Sequence, residues 1–223
     1  MTKTIIEVPD DVLDKLRRQL TMHHGTYGQA RLIAQMQAGR LRQILGTRET
    51  RLPLDWIESI PGVTVTMVSA LEMEKLVNRP NASGATKMTK DGSTFRIFIN
   101  ENNSITHCRF TLCHELYHVI TGPFEKQIYG DFGFGDEELH GDRVERVADH
   151  FAANLLVPKP LLTQAWAMPL QNISALAELF GVSEDAMRIR LQTTGLIRKG
   201  VTKKMFYRVP RIKAPVARLN EVY

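Results

Sequence analysis

Cysteine is scarce in this sequence: Cys108 and Cys113 are the only two among 223 residues. They fall five apart on one expected helix and point in different directions, so neither a disulfide between them nor a disulfide-stapled secreted scaffold is expected. Long hydrophobic runs are missing too. No stretch approaches the roughly eighteen consecutive apolar residues of a membrane span, and residues 1–14 lack the apolar region of a secretory signal. A cytoplasmic protein with no membrane partner is the expectation. Internal repeats and low-complexity tracts are absent, and the length allows one or two domains with a real core.

A charge excess is also lacking over most of the chain. The formal net charge is +5, yet 21 of the 29 basic and 23 of the 24 acidic residues precede Leu196, which leaves residues 1–195 at about −2. The positive excess belongs to residues 196–223, where Arg198, Lys199, Lys203, Lys204, Arg208, Arg211, Lys213 and Arg218 face Glu221 alone. Such a tail suits contact with nucleic acid or an acidic partner. A solvated tail whose residues 201–209 form a short strand explains the same composition.

What is present is concentrated in His114-Glu115-Leu116-Tyr117-His118, an H-E-x-x-H string. On a helix, positions i and i+4 share a face, so both imidazoles can bind one zinc ion at about 2.0–2.1 Å. Glu115 is then free to take a proton from a zinc-bound water. Ser104 is a good helix N-cap, Gly122-Pro123 a stop signal, and Ile105, Cys108, Leu112, Leu116 and Val119 follow helical spacing between them. These five form one stripe, with His107, Thr111, His114 and His118 opposite. The histidines are therefore expected to face a cleft rather than the core.

A catalytic zinc site usually takes three protein ligands and a water. Residues 145–158 supply candidates. Val144, Val147, Ala148, Phe151 and Leu155 make a helical apolar stripe that Pro158 ends, and Glu145 and Asp149 project together from another side. One carboxylate can ligate zinc, while the other accepts the hydrogen bond of a ligating imidazole's far nitrogen.

Residues 109–118 followed by residues 145–158 resemble the ImmA/IrrE family of metallopeptidases, over roughly residues 94–195. The resemblance implies a gluzincin-type site: zinc on His114, His118 and Glu145, Glu115 as general base, and Asp149 as partner of a ligating histidine. It implies also a cytoplasmic protein substrate, a helix-turn-helix repressor whose cleavage relieves repression in a mobile element, prophage or DNA-damage response. Family members commonly have Ala at the position of Cys113 and Gly at that of Tyr117. Cys113 reads as a small buried hydrophobe. Tyr117 either packs or offers its phenol to the oxyanion, and His140 is a second candidate for that role.

Upstream, residues 11–20, 29–45 and 53–60 read as helices, and residues 63–68 and 94–99 as strands. Residues 85–88 are expected to pair with the second strand across the turn at residues 90–92. Residues 122–138 form a loop with Gly130, Gly133 and Gly135 among phenylalanines, either a lid on the cleft or a plain connector. Residues 173–183 followed by 186–191 have helix-turn-helix spacing. As a DNA reader the second helix would present Glu184, Asp185, Arg188 and Arg190, but two acids at its start are poor for approaching phosphates. The resemblance implies instead that these helices pack on the peptidase core.

The expected fold is α+β. A helical segment (residues 1–52) precedes a mostly helical zincin-like core with a small antiparallel sheet (53–168). Helix-turn-helix-like helices and the basic tail (169–223) follow. The expected function is zinc endopeptidase, with a DNA-binding regulator whose zinc is structural or sensory as the alternative. The tail yields a test of its own. Deleting residues 210–223 is expected to weaken binding of an acidic partner or DNA, with the larger loss at low salt, because screening acts beyond about 10 Å at 0.1 M. Zinc content and folding should not change. Unfolding or zinc loss in the truncated protein would make the tail a packed structural strand.

Overall fold

Side-chain caps decide where most helices begin. The computed structural model describes residues 6–20, 26–129, 137–168 and 172–198, with the backbone alone for 137–140. Two helices come first, α1 (Val12–Arg17) and α2 (Tyr27–Ile44). α2 starts at a capping box in which Thr26 accepts from the Gln29 amide and Gln29 answers from the Thr26 amide at 2.8 Å. A 3-10 turn (Asp55–Ser59) leads to β1 (Val63–Val68), and a second capping box, Ser69 with Glu72, opens α3 (Ala70–Val77). β2 (Gly84–Met88) and β3 (Phe95–Asn100) form a hairpin. Its turn places Gly92 at φ +71°, where a residue with a side chain is strained.

Six further helices follow. α4 (Ile105–Thr121) begins at Ser104, whose hydroxyl accepts from the His107 amide. α5 (Glu125–Tyr129), α6 (Glu137–Leu156) and α7 (Lys159–Ala167) come next. α8 (Ile173–Phe180) and α9 (Glu184–Thr193) are capped by Asn172 and Ser183. The glycine at the α8–α9 turn, Gly181, has φ +65°.

The α+β class is observed, mostly helical with one small sheet, but the sheet is mixed and not antiparallel as expected. Its order is β1-β3-β2, with β2 antiparallel and β1 parallel to β3. The cause is α3, for which no expectation existed. It carries the chain past the central position, so β3 returns from the hairpin between its neighbours and runs alongside β1. Phe95 donates to Gly62 O at 2.7 Å and starts the parallel register. Phe95, Ile97 and Ile99 alternate into the core.

One hydrophobic cluster runs from Val12 to Ile197, with α6 at its centre. α2 packs on α6, and Ala30, Ala34 and Ala38 of α2 are buried, as are Ala148 and Ala152 of α6. The stripe expected on α4 packs from Cys108 onward, with Leu116 and Val119 buried and Cys108 and Leu112 half-buried against the core, but it lacks its first residue and is joined by a second set. Ile105 is 75% exposed, while Cys113, Tyr117 and Ile120 are buried. The sheet covers one flank of α4 and α6 another, so only a narrow opening is left for its histidines. The expected strand at 201–209, the glycines at 130–135 and the His140 side chain lie outside the described residues. No helix among them is long and apolar enough to cross a membrane.

Two buried arginines hold the C-terminal end of α6. A helix end leaves carbonyls unpaired, and cations there are favourable. Arg42 of α2 donates from Nε to Leu155 O at 2.7 Å, and from Nη1 to Glu49 O at 2.8 Å. Arg190 of α9 donates from Nε to Val157 O at 2.8 Å and from Nη2 to Asn154 Oδ1 at 2.6 Å. Burial lowers both guanidinium groups to about 10, still charged at neutral pH. Arg190→Ala should cost about 2–4 kcal/mol in urea unfolding, since two buried acceptors each lose a donor worth about 1–3 kcal/mol. Arg188, paired with Asp185 at the surface, should cost less than about 1 kcal/mol when replaced by Ala. Equal effects would show that α9 is not anchored through Arg190.

Candidate metal centre

One helical turn separates His114 from His118, and their rings lie 4.9 Å apart between centroids. Nε2 of each points to the same spot, 3.1 Å from the other. Glu145 comes in from α6, with Oε2 3.0 Å from His114 Nε2 and Oε1 3.6 Å from His118 Nε2. A tetrahedral zinc with ligands at about 2.0–2.1 Å separates its donor atoms by about 3.3 Å. The three donors here, all within 4.8 Å of one another, fit that requirement.

Asp149, one turn along α6 from Glu145, places Oδ1 2.9 Å from His114 Nδ1. A proton on Nδ1 serves that carboxylate and leaves the Nε2 lone pair for a metal. Burial alone would push His114 down, but Asp149 and Glu145 raise it to about 10. Burial, helped by the charge on His114, lowers His118. The hydrogen bond from His114 lowers Glu145. Two carboxylates thus converge on an imidazole pair and create a place for positive charge.

Glu115 points from the same helix toward the sheet and is 6% exposed. Thr86 Oγ1 donates to Glu115 Oε2 at 2.8 Å. Burial raises its acid dissociation range, against the opposing pull of Thr86 and His114. Gly84 explains how a buried carboxylate fits under β2. A Cβ there would lie 2.4 Å from Thr111 Cγ2 and 2.9 Å from Glu115 Oε1. Neither Gly84 nor Thr86 was singled out from sequence. The available signal was a run of small residues, Gly84-Ala85-Thr86, in a strand that must cross an active-site helix. β2 lines a cleft of about 900 Å³ whose wall also includes His114, Glu115, His118 and Glu145.

With this geometry in view, the comparisons with known proteins are informative. Residues 75–192, more than half of the chain, match the sequence profile of the IrrE N-terminal-like domain, peptidase M78. The chain belongs to that family. None of the curated proteins compared matches it. Among solved structures, a Mycobacterium tuberculosis transcriptional regulator is similar with a TM-score of 0.53 at 17% identity. The match covers 81% of this chain and 51% of that one, so the chain spans about half the regulator's length. The likeness is one of fold.

In this member of the peptidase M78 family, the Tyr117 phenol is not available to an oxyanion. Helical rotation turns it away from the histidines against α6, where it is 1% exposed and its ring is 4.9 Å from that of Phe151. Its hydroxyl accepts from Tyr129 at 3.1 Å, and burial pushes its ionisation well up. Cys113 is fully buried, and burial pushes its thiol up to about 12. Arg190, which a DNA-reading helix would present to a groove, is inside the protein, and Arg188 is tied to Asp185 at 2.6 Å.

Metal analysis of purified variants tests the ligand set. His114→Ala, His118→Ala and Glu145→Ala should each lose stoichiometric zinc, and full occupancy in Glu145→Ala would remove that residue from the set. Asp149→Asn should bind about 10–100-fold more weakly, as partners of ligating histidines typically do.

Proposed function

We propose that this chain is a zinc-dependent endopeptidase that cleaves another protein in the cytoplasm. The observation carrying this reading is the convergence of two imidazoles and Glu145 beside a buried Glu115, under the free edge of β2. A zinc ion held by His114, His118 and Glu145 would supply Lewis acidity toward the peptide carbonyl and make a nearby water more acidic. Glu115 takes the proton of the attacking water and delivers it to the leaving amine. Thr86 fixes one oxygen of that carboxylate, so the other is the one aimed at the reaction. Asp149 keeps His114 in one orientation and one tautomer. An extended substrate pairs with the edge of β2, which holds its scissile carbonyl beside the metal centre.

The substrate class follows from the resemblance of the motif blocks: a repressor with a helix-turn-helix domain, cleaved to relieve repression. The other reading is a DNA-binding regulator with a structural or sensory zinc, drawing on the helix-turn-helix spacing of α8 and α9. The inward position of Arg190 and the Arg188–Asp185 pair count against it. So does a buried, hydrogen-bonded Glu115, which a purely structural metal site does not need.

The test is incubation of the purified zinc-loaded protein with helix-turn-helix repressors encoded beside its gene, followed on gels. Glu115→Gln should keep zinc and lose about 10²–10⁴-fold in cleavage rate. Thr86→Val should lose about tenfold, the worth of one hydrogen bond to a charged group, while Thr86→Ser stays near the parent. Undiminished cleavage by Glu115→Gln would remove Glu115 as the base. DNA binding that survives in Glu115→Gln, with no cleavage by the parent, would favour the regulator.

A further inference from the structure

A second concave surface adjoins the cleft on the far side of Asp149. It encloses about 610 Å³ between the first turn of α2, the start of α4, the middle of α6, and α9. That volume falls in the range of about 300–1,000 Å³ typical of pockets that enclose a specific ligand. Its floor is apolar, made by Phe110, Ala153, Val182, Ala186 and Ile189. Ile189 is 60% exposed at its mouth.

The charge left uncommitted around this groove is positive. Arg31 lies 5.8 Å over the Tyr27 ring and 3.4 Å from His150 Nδ1, with no carboxylate partner among the described residues. Arg146 is paired only loosely, 3.8 Å from Asp142 on its own exposed face. The groove's two carboxylates are both engaged, Asp149 with His114 and Asp185 with Arg188. An apolar floor under cations suits an apolar side chain with a neighbouring carboxylate. It does not suit nucleic acid, which would meet those acids.

The groove is continuous with the metal cleft. His107, Phe110 and Asp149 line both. His107 Nε2 lies 2.9 Å from Ser83 Oγ, which puts this saddle at the Gly84 end of β2. A peptide pairing antiparallel with β2 runs from the Met88 end to the Gly84 end. It therefore passes the metal centre and crosses the saddle with its C-terminal part leading.

We propose that this groove recognises the substrate segment that follows the scissile bond, selecting an aliphatic or aromatic side chain next to Asp or Glu. The proposal rests on the peptidase reading above. It gives α9 a role in choosing the substrate, through the face that carries Ala186 and Ile189.

A displayed random dodecapeptide library, panned on the full-length zinc-loaded Glu115→Gln protein, tests it. The enriched sequences should share an apolar–acidic pair. One synthetic peptide from that set should bind about tenfold more weakly to Ile189→Glu and to Arg31→Glu, as hot-spot contacts do, and equally well to Arg40→Glu. Ile189 and Arg31 are exposed, so these variants should fold and retain zinc, and Ala186→Trp then fills the groove directly. No enriched pair, or binding indifferent to both Ile189→Glu and Ala186→Trp, overturns the proposal. Equal weakening by Arg40→Glu and Arg31→Glu would reveal bulk electrostatics and overturn it too. Failure of the peptidase reading looks different: the parent protein would lack zinc or any Glu115-dependent cleavage, whatever the groove binds.

Discussion

Glu145 and Asp149 reach His114 because α6 meets α4 at one rotation, and that rotation is set on the far side of both helices. The Tyr117 ring lies 4.9 Å from that of Phe151, Cys113 is fully enclosed, and α2 packs on α6, where Ala148 and Ala152 are buried. Interiors are close-packed, so a helix cannot turn a few tens of degrees without opening voids or clashes. Tyr117 within the H-E-x-x-H string and Cys113 beside it thus fix the angle at which the carboxylates of α6 arrive. The large Tyr117 side chain fits this role. It fills space against α6 and hands its one polar group to Tyr129.

Electrostatics then works at two places along α6. Glu145 and Asp149 lie toward the metal centre, and Arg42 and Arg190 take the carbonyls at its C-terminal end. The arginines come from α2 and α9, elements far apart in sequence, so each hydrogen bond is also a tertiary link. This accounts for a helix-turn-helix spacing without a DNA-reading face. In α9 the residue that would be most useful to a phosphate is spent on Val157 and Asn154. The exposed side of α9 is left with an aliphatic and an acid–base pair, which suits a protein surface better than a duplex.

Much of this was legible from residues alone, where the signal is local. The cap at Ser104, the strand at 63–68 and the i, i+4 pairs on α4 and α6 depend on neighbours a turn away. What failed depends on partners far off in sequence. The apolar stripe assigned to α4 assumed one buried face, but a helix enclosed by sheet and helix buries two, and Ile105 lies beyond both. α3 was overlooked although Ser69 and Glu72 form a capping box, because it is only eight residues long and Met73 alone is buried. Without α3, nothing told a parallel β1 from an antiparallel one. Gly84 and Thr86 could not be found by motif, since their meaning lies in a glutamate about thirty residues downstream.

The weakness of β2 as a sequence signal and its fitness for the site have one cause. Large β-branched residues would make a strand easy to recognise and would stabilise its pairing. At position 84 any side chain collides with Thr111 and Glu115, so the strand must be small where it crosses α4. An edge strand built this way has little of its own to bury, and β2 is held mainly by β3 on one side and by Thr86 on Glu115 below. Its other edge pairs with no strand among the described residues and keeps backbone groups that want partners, on a strand that lines the cleft. Under the peptidase function proposed above, a substrate chain that supplies them would complete the sheet as it is delivered to the metal centre. The same hydroxyl that secures β2 to α4 also orients the Glu115 carboxylate, so strand position and carboxylate orientation are coupled.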